Sequence, residues 1–157
     1  MLQINIHHIP ESGLDIDSTI PTSELEIPLG DRIKKITPLV CELKASMVEK
    51  DLVVRGNATL VANCACDRCL VEFEQVIQSE DICIVKENTP EIVDLTNDIR
   101  EDILLAFPQL LLCREDCRGL CFKCGINLNE EECQCDSEDE SSSPWDTLDN
   151  INFDSDK

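Results

Sequence analysis

Residues 2–8 alternate, with Leu2, Ile4, Ile6 and His8 on one side and Gln3, Asn5 and His7 on the other. A period of two predicts a half-buried strand over residues 2–9. Consecutive residues of a strand face opposite ways, so His7 and His8 cannot chelate one ion together. From Pro10 to Arg32 the pattern is broken by Pro10, Gly13, Pro21, Pro28 and Gly30. Proline lacks the amide that a central strand must donate, so this stretch reads as loop with edge strands at most, such as 25–29.

Three β segments follow. Residues 36–48 carry Val40, Cys41, Leu43, Ala45 and Met47, and residues 52–63 carry Val54, Ala58, Leu60 and Ala62 on one face, with Gly56 a candidate bulge. Glu49, Lys50 and Asp51 make a polar break of hairpin length between them. Residues 70–85 place Val71, Phe73 and Ile77 on one face, shift at Ser79–Asp81, and continue as Ile82, Cys83, Ile84 and Val85. The middle of the chain is therefore an expected antiparallel meander, with Ile92 and Val93 a short strand or connector after Pro90. Asp98 and Glu101 have capping-box spacing, and Ile99, Ile103, Ala106 and Phe107 then share a helical face that would lie on the sheet. Pro108 ends that helix. The fold class is α+β: an antiparallel β-meander packed with one main helix, then a small cysteine-rich module and an acidic tail. The expected divisions are 1–112, 113–135 and 136–157.

Cysteine changes the picture most. Of the 11 in the chain, Cys113, Cys117, Cys121, Cys124, Cys133 and Cys135 crowd into one stretch, and Cys64, Cys66 and Cys69 flank a turn between strands. Thiolates at this density form soft tetrahedral ligand sets, for which zinc is the commonest ion. Gly125 directly follows the Cys121-x-x-Cys124 pair and suits a turn of positive φ. Six sulfurs exceed one tetrahedral shell. Three arrangements stay open: some thiols are spare, the site is dinuclear with bridging sulfurs, or Cys66 and Cys69 join Cys113 and Cys117 in a second site. The ferredoxin cysteine spacing is absent. An all-sulfur site is closed and structural, and the glycine-rich loops and nucleophile motifs of hydrolytic, phosphoryl-transfer and dinucleotide chemistry are missing. The expectation is a protein that is not an enzyme.

Charge narrows the partners. The chain holds 33 acidic and 13 basic residues, a formal net charge of -20. Such a surface repels phosphate backbones and suits a basic protein partner. The basic residues interleaved with the cysteines, Arg68, Arg114, Arg118 and Lys123, are the candidates for local RNA contact. No apolar run has spanning length, and the first residues lack the basic and apolar regions of a signal peptide, so a cytoplasmic, membrane-free protein is expected, a reducing setting in which thiols serve as metal ligands rather than disulfides. Residues 136–143 form a low-complexity acidic run, after which Trp145, Leu148, Ile151 and Phe153 recur at roughly helical spacing, a candidate for folding on a partner.

Taken together, three motifs resemble the YceD-like family, the large ribosomal RNA subunit accumulation proteins. They are the turn Cys66-Asp67-Arg68-Cys69-Leu70, the helix end Glu101–Pro108, and the long signature Cys113–Asn129 closed by Cys133-x-Cys135. Phe122 stands where many members have proline, and Ser143-Pro144-Trp145 replaces a commoner Asp-Pro-Arg. Some members lack the C-terminal cysteines, so the resemblance implies a metal that stabilises one branch rather than a shared activity. It implies a non-catalytic ribosome-assembly factor, supporting synthesis, processing or stability of large-subunit ribosomal RNA in bacteria and plastids. Its partners would be ribosomal proteins or pre-ribosomal particles, with the RNA itself a further candidate. The alternatives are a direct RNA-binding zinc module and a thiol redox or metal-sensing protein.

Overall fold

The computed structural model describes residues 1–87 and 90–135. The chain runs through β1 (Gln3–Asn5), β2 (Leu14–Ile20), a single helical turn α1 (Thr22–Leu25), β3 (Ile33–Ile36), β4 (Leu39–Val48), β5 (Asp51–Ala65), β6 (Glu72–Lys86), β7 (Ile92–Asp94) and α2 (Thr96–Leu105). β5 organises the sheet. Along one edge it pairs with β6 from Leu52↔Lys86 to Ala65↔Glu72. Its other edge is shared: β4 pairs with it from Val48↔Asp51 to Val40↔Thr59, and β3 takes over from Ile36↔Ala62 to Ile33↔Cys64. β2 flanks β4, and β1 and β7 form a separate two-stranded ribbon, all antiparallel.

The handover between β4 and β3 falls at Thr37-Pro38, because proline has no amide for the ladder. Thr37 patches the gap: its amide donates to the Val61 carbonyl at 2.9 Å, and its hydroxyl accepts the Val61 amide at 2.9 Å. The expected single segment 36–48 is thus two strands. Gly56 does mark a bulge. Gly56 faces Ile82 and Ala58 faces Ser79, so β6 gains one residue there. That extra residue lets Ile77 before it and Ile82 and Ile84 after it all face inward. A Cβ on Gly56, at φ +154°, would lie 2.1 Å from the Glu42 carbonyl oxygen, so only glycine fits.

One face of the sheet buries Leu39, Cys41 and Leu43 from β4 and Leu52, Val54, Ala58 and Leu60 from β5. Ile99 and Ile103 of α2 cover this face, as the helical spacing predicts, and Leu25 and Leu111 join the same core. The helix starts three residues earlier than expected, and the capping box does not form. Asp94 instead accepts the Thr96 amide at 2.9 Å, and Asp98 lies within the first turn, accepting from Lys86 Nζ at 2.6 Å.

Two N-terminal expectations are corrected. The strand alternation stops at Asn5, whose side chain caps a 3-10 turn at Ile6–His8, leaving both histidines exposed. Between Pro10 and Arg32 the edge strand is Leu14–Ile20, while Leu25 closes α1 instead of opening a strand. The alternation of Leu14, Ile16, Ser18 and Ile20 with Asp15, Asp17 and Thr19 carried that signal, obscured by the prolines on either side. The acidic run and the apolar series ending at Phe153 lie outside the described residues.

Candidate metal centres

The first centre forms where β5 ends. Ala65 is its last residue, and the chain turns through Cys66–Leu70 before β6 begins. The Cys66 amide donates to Val71 O at 2.9 Å, the Leu70 amide returns to Cys66 O at 2.9 Å, and Leu70 takes a left-handed φ of 61° to close the turn. Folding the backbone this way aims the amides of Arg68 and Cys69 at the Cys66 sulfur. The other half of the centre arrives after α2. The Leu111 amide donates to Asp67 Oδ2 at 2.7 Å, and the Asp67 amide donates to Leu111 O at 2.8 Å, which lays the two segments side by side. Arg32 grips the same Asp67 from β3's N-terminal side. Cys113 and Cys117 are thereby brought to Cys66 and Cys69, and the four sulfurs lie within 4.8 Å of one another.

The second centre repeats the local design. In Cys121-Phe122-Lys123-Cys124-Gly125, the Cys121 amide donates to Ile126 O at 2.8 Å, the Gly125 amide returns to Cys121 O at 2.8 Å, and Gly125 has φ 76°. The amides of Cys124 and Lys123 point at the Cys121 sulfur. Cys133 and Cys135 come from the turn that follows Asn127, and this quartet too lies within 4.8 Å.

Both quartets fit a tetrahedral thiolate shell. With metal–sulfur bonds of about 2.3 Å, sulfurs at tetrahedral corners stand about 3.8 Å apart. The measured pairs are close to that: Cys66–Cys117 at 3.7 Å and Cys69–Cys113 at 3.6 Å, then Cys124–Cys133 at 3.5 Å and Cys121–Cys133 at 3.3 Å. Either group could hold a metal ion.

Electrostatics agree with that chemistry. Burial pushes the Cys66 thiol up, but the amides of Cys113, Cys69 and Arg68 outweigh it and bring it down to about 6. The amides of Cys124 and Lys123, with the Cys133 thiol, bring Cys121 down to about 6 as well. Each shell also has a member that resists ionisation. Cys113 is pushed up to about 12 by burial and by the neighbouring thiols of Cys69, Cys117 and Cys66, and Cys135 to about 12 by Cys133 and Cys124. Four sulfurs in contact cannot all be charged without a cation among them, which is the condition a divalent ion satisfies.

Asn129 joins the centres. Its Nδ2 donates to Cys117 Sγ at 3.3 Å, while its Oδ1 accepts the Arg118 amide at 2.8 Å and Arg114 Nη2 at 2.7 Å. Hydrogen bonds of this kind fix ligand orientation and spread charge off sulfur. Arg68 Nη1 donates to Cys117 O at 2.8 Å, and Gly119, at φ 78°, packs on the Arg68 backbone. Of the four basic candidates, then, Arg68 and Arg114 hold the module together, and the Arg118 and Lys123 residues are exposed. The sequence did not single out Arg32, Asp67 or Asn129. Asp67 and Asn129 lie inside the cysteine motifs, but Arg32 sits in an ordinary loop with nothing to mark it. Of the remaining cysteines, Cys41 and Cys64 pack in the main core, Cys41 pushed up to about 11 by burial, and Cys83 is exposed.

Among the described residues no helix is long and apolar enough to cross a membrane. The family model described as "Large ribosomal RNA subunit accumulation protein YceD" matches residues 79–152, a range that holds six of the eight clustered cysteines. The chain is 26% identical over 131 residues to "Uncharacterized protein YlbN" of Bacillus subtilis (strain 168), covering 71% of this chain and 72% of that one. A Mycobacterium leprae (strain TN) protein is 26% identical over 107 residues, 58% of this chain and about half (49%) of its own length. The "Large ribosomal RNA subunit accumulation protein YCED homolog 1, chloroplastic" of Arabidopsis thaliana is 36% identical over 52 residues, 32% of this chain and 16% of that one. No solved structure matches.

Proposed function

The chain belongs to the YceD-like family, and on that premise we propose that it is a non-catalytic assembly factor supporting large-subunit (23S) ribosomal RNA, with both cysteine quartets holding structural zinc. What supports the non-catalytic reading is the donor set: each centre gathers four sulfurs, enough to fill a tetrahedral shell without a water or substrate among the ligands. What zinc would supply is cross-linking. The first quartet would bind the segment after α2 to the β5–β6 turn, and the second would fold a stretch with few apolar side chains of its own. The rest of the chain supplies charge. Asp15, Asp17 and Glu42 face outward from β2 and β4, on a surface suited to shielding a basic ribosomal protein until it meets its RNA. The protein would act in the cytoplasm on pre-ribosomal particles.

Depleting the protein should lower large-subunit RNA relative to small-subunit RNA. A nuclease-treated pull-down should still retain ribosomal proteins. Retention that depends wholly on RNA would overturn the protein-mediated part of the proposal.

One observation favours direct RNA contact as a second reading. Phe122 is 91% exposed at the tip of the second turn, beside Lys123. An aromatic ring held on a rigid turn can stack on an unpaired base. Replacing Phe122, Arg118 and Lys123 by alanine leaves the bonds of Arg68 and Arg114 intact. Unchanged affinity for precursor RNA would then exclude this reading.

A further inference from the structure

The two turns share one backbone design, but their settings differ. In the first quartet Cys66, Cys69 and Cys117 are exposed by 4% or less, and Phe73, Leu112 and Leu120 pack around them. Cys113 is the half-buried member of the first, whereas in the second Cys121 alone is buried, Cys133 is half-buried, and Cys124 and Cys135 are exposed. A tetrahedral thiolate site exchanges its metal when an entering ligand reaches the ion and one sulfur leaves, through a five-coordinate state. Burial blocks that approach at the first quartet, and the second is open to it.

Anchoring differs in the same direction. Cys69 and Cys113 of the first quartet are 44 residues apart in sequence. Opening it means separating two segments tied by the Asp67–Leu111 pair and by Arg68 Nη1 on Cys117 O. All four ligands of the second fall between 121 and 135. Among the described residues, the amide bonds to Asn127 O end at Glu131, and the Cys135 amide closes only on Cys133 Sγ at 3.2 Å. The arm bearing Cys133 and Cys135 can therefore swing away while Asn129 keeps its bond to Cys117, since Asn129 lies before the hinge. Local opening of a short arm costs far less than opening a core-anchored segment.

From these differences we infer that Cys121, Cys124, Cys133 and Cys135 form an exchangeable site for a soft cation of zinc's class, and that Cys66, Cys69, Cys113 and Cys117 form a permanent one. The inference rests on the reading that both quartets bind metal. The exchange involves no change of oxidation state. Donor atoms of a competing ligand would replace the sulfurs of Cys135 and Cys133 and then those of Cys121 and Cys124, and the freed thiolates would take protons from the solvent. The partner this site fits is a metal donor or acceptor with its own thiolate or nitrogen ligands, able to approach an exposed edge.

The test uses the full-length protein, reduced and reconstituted with zinc. Native mass spectrometry counts the ions, and an excess of the chromogenic chelator 4-(2-pyridylazo)resorcinol then follows their release. Two ions should leave in two phases of equal amplitude, with rates at least about tenfold apart. Cys135→Ser should remove the fast phase and leave one ion with the far-ultraviolet dichroism unchanged. Two ions leaving at a single rate, or a fast phase that survives Cys135→Ser, would overturn the inference alone. A protein that takes up no ion would instead overturn the metal reading beneath it.

Discussion

Arg32 lays its guanidinium across both carboxylate oxygens of Asp67, Nε on Oδ1 at 2.9 Å and Nη2 on Oδ2 at 2.8 Å, and the same Nη2 reaches the Gln109 carbonyl at 2.9 Å. This fork joins the start of β3, the first cysteine turn and the segment that leaves α2. Because Arg32 is 56% exposed, the ion pair itself is screened and is worth about 0.2–1 kcal/mol. The Leu111 amide that also depends on Asp67 is the larger stake, since an amide left without its acceptor costs about 1–3 kcal/mol. Asp67→Ala should therefore destabilise the fold by about 1–3 kcal/mol in urea titration, and Arg32→Lys by less than about 1 kcal/mol. An equal loss in both would show that the ion pair dominates after all.

Cys69→Ser removes a sulfur from the buried quartet but no side chain from the main core. Hydrogen exchange should speed up across residues 111–122 while the paired amides of β4, β5 and β6 stay protected. A loss of protection spread evenly over the sheet would mean that the metal centre and the sheet fold as one unit.

Gly56→Ala should be among the most damaging single changes. The new methyl would sit 2.1 Å from Glu42 O and 2.7 Å from Leu43 Cα, both backbone atoms of a central strand. The sheet must open at its bulge, and the expected loss is about 3 kcal/mol or more, read as a lowered denaturation midpoint or as failure to express in soluble form.

Leu70 and Gly125 hold equivalent places, one after each Cys-x-x-Cys pair, at φ 61° and 76°. Leucine is strained there by about 1–2 kcal/mol, and its side chain is 66% exposed. Leu70→Gly should stabilise the protein by about 0.5–1 kcal/mol, because relief of strain exceeds the extra freedom glycine gives the unfolded chain. A decrease would show that the exposed side chain makes contacts worth more than the strain.

Asp94 supplies a pH dependence away from the cysteines. The Thr96 hydroxyl and amide hold its carboxyl below the usual 3.8. A carboxylate with a lowered folded-state value adds stability that is fully present above the ordinary range and is lost as pH falls through the lowered value. Acid unfolding curves of Asp94→Asn should be flatter than those of the parent below about pH 4.

Legibility in the sequence followed physical range. Alternation in β4 and β5 and the helical spacing of Ile99 and Ile103 are local patterns, and Cys41, Leu43, Ala45, Val54, Ala58, Leu60 and Ala62 are buried as they predict, whereas Val40 and, on the expected face before β6, Val71 are exposed. The shift at Ser79–Asp81 was visible for the same reason: apolar residues change parity where β6 gains a residue. The N-terminal region misled because Pro10 and Pro21 bracket a strand without interrupting it. Asp98 and Glu101 had the spacing of a cap, but Asp94 reached the helix first. The two cysteine clusters were visible, and the division of their sulfurs into these quartets was one of three arrangements left open, with no local pattern to choose among them. Cys117 and Cys121 are four residues apart and belong to different quartets, a choice made by the Asp67–Leu111 pairing far away in sequence.

That pairing also sets an order in time. The turn bearing Cys66 and Cys69 is synthesised 44 residues before Cys113. Throughout that interval β6, β7 and α2 are being made while the nascent chain carries half a ligand shell. A metal held by this quartet could be enclosed only once α2 has been translated and the segment after it has come back to the sheet, so it would act as a late seal on a fold already assembled. A chain stopped between Lys86 and Leu112 would carry two uncommitted thiols at the end of the β5–β6 hairpin, and metal capture by the finished chain would be marked by their disappearance.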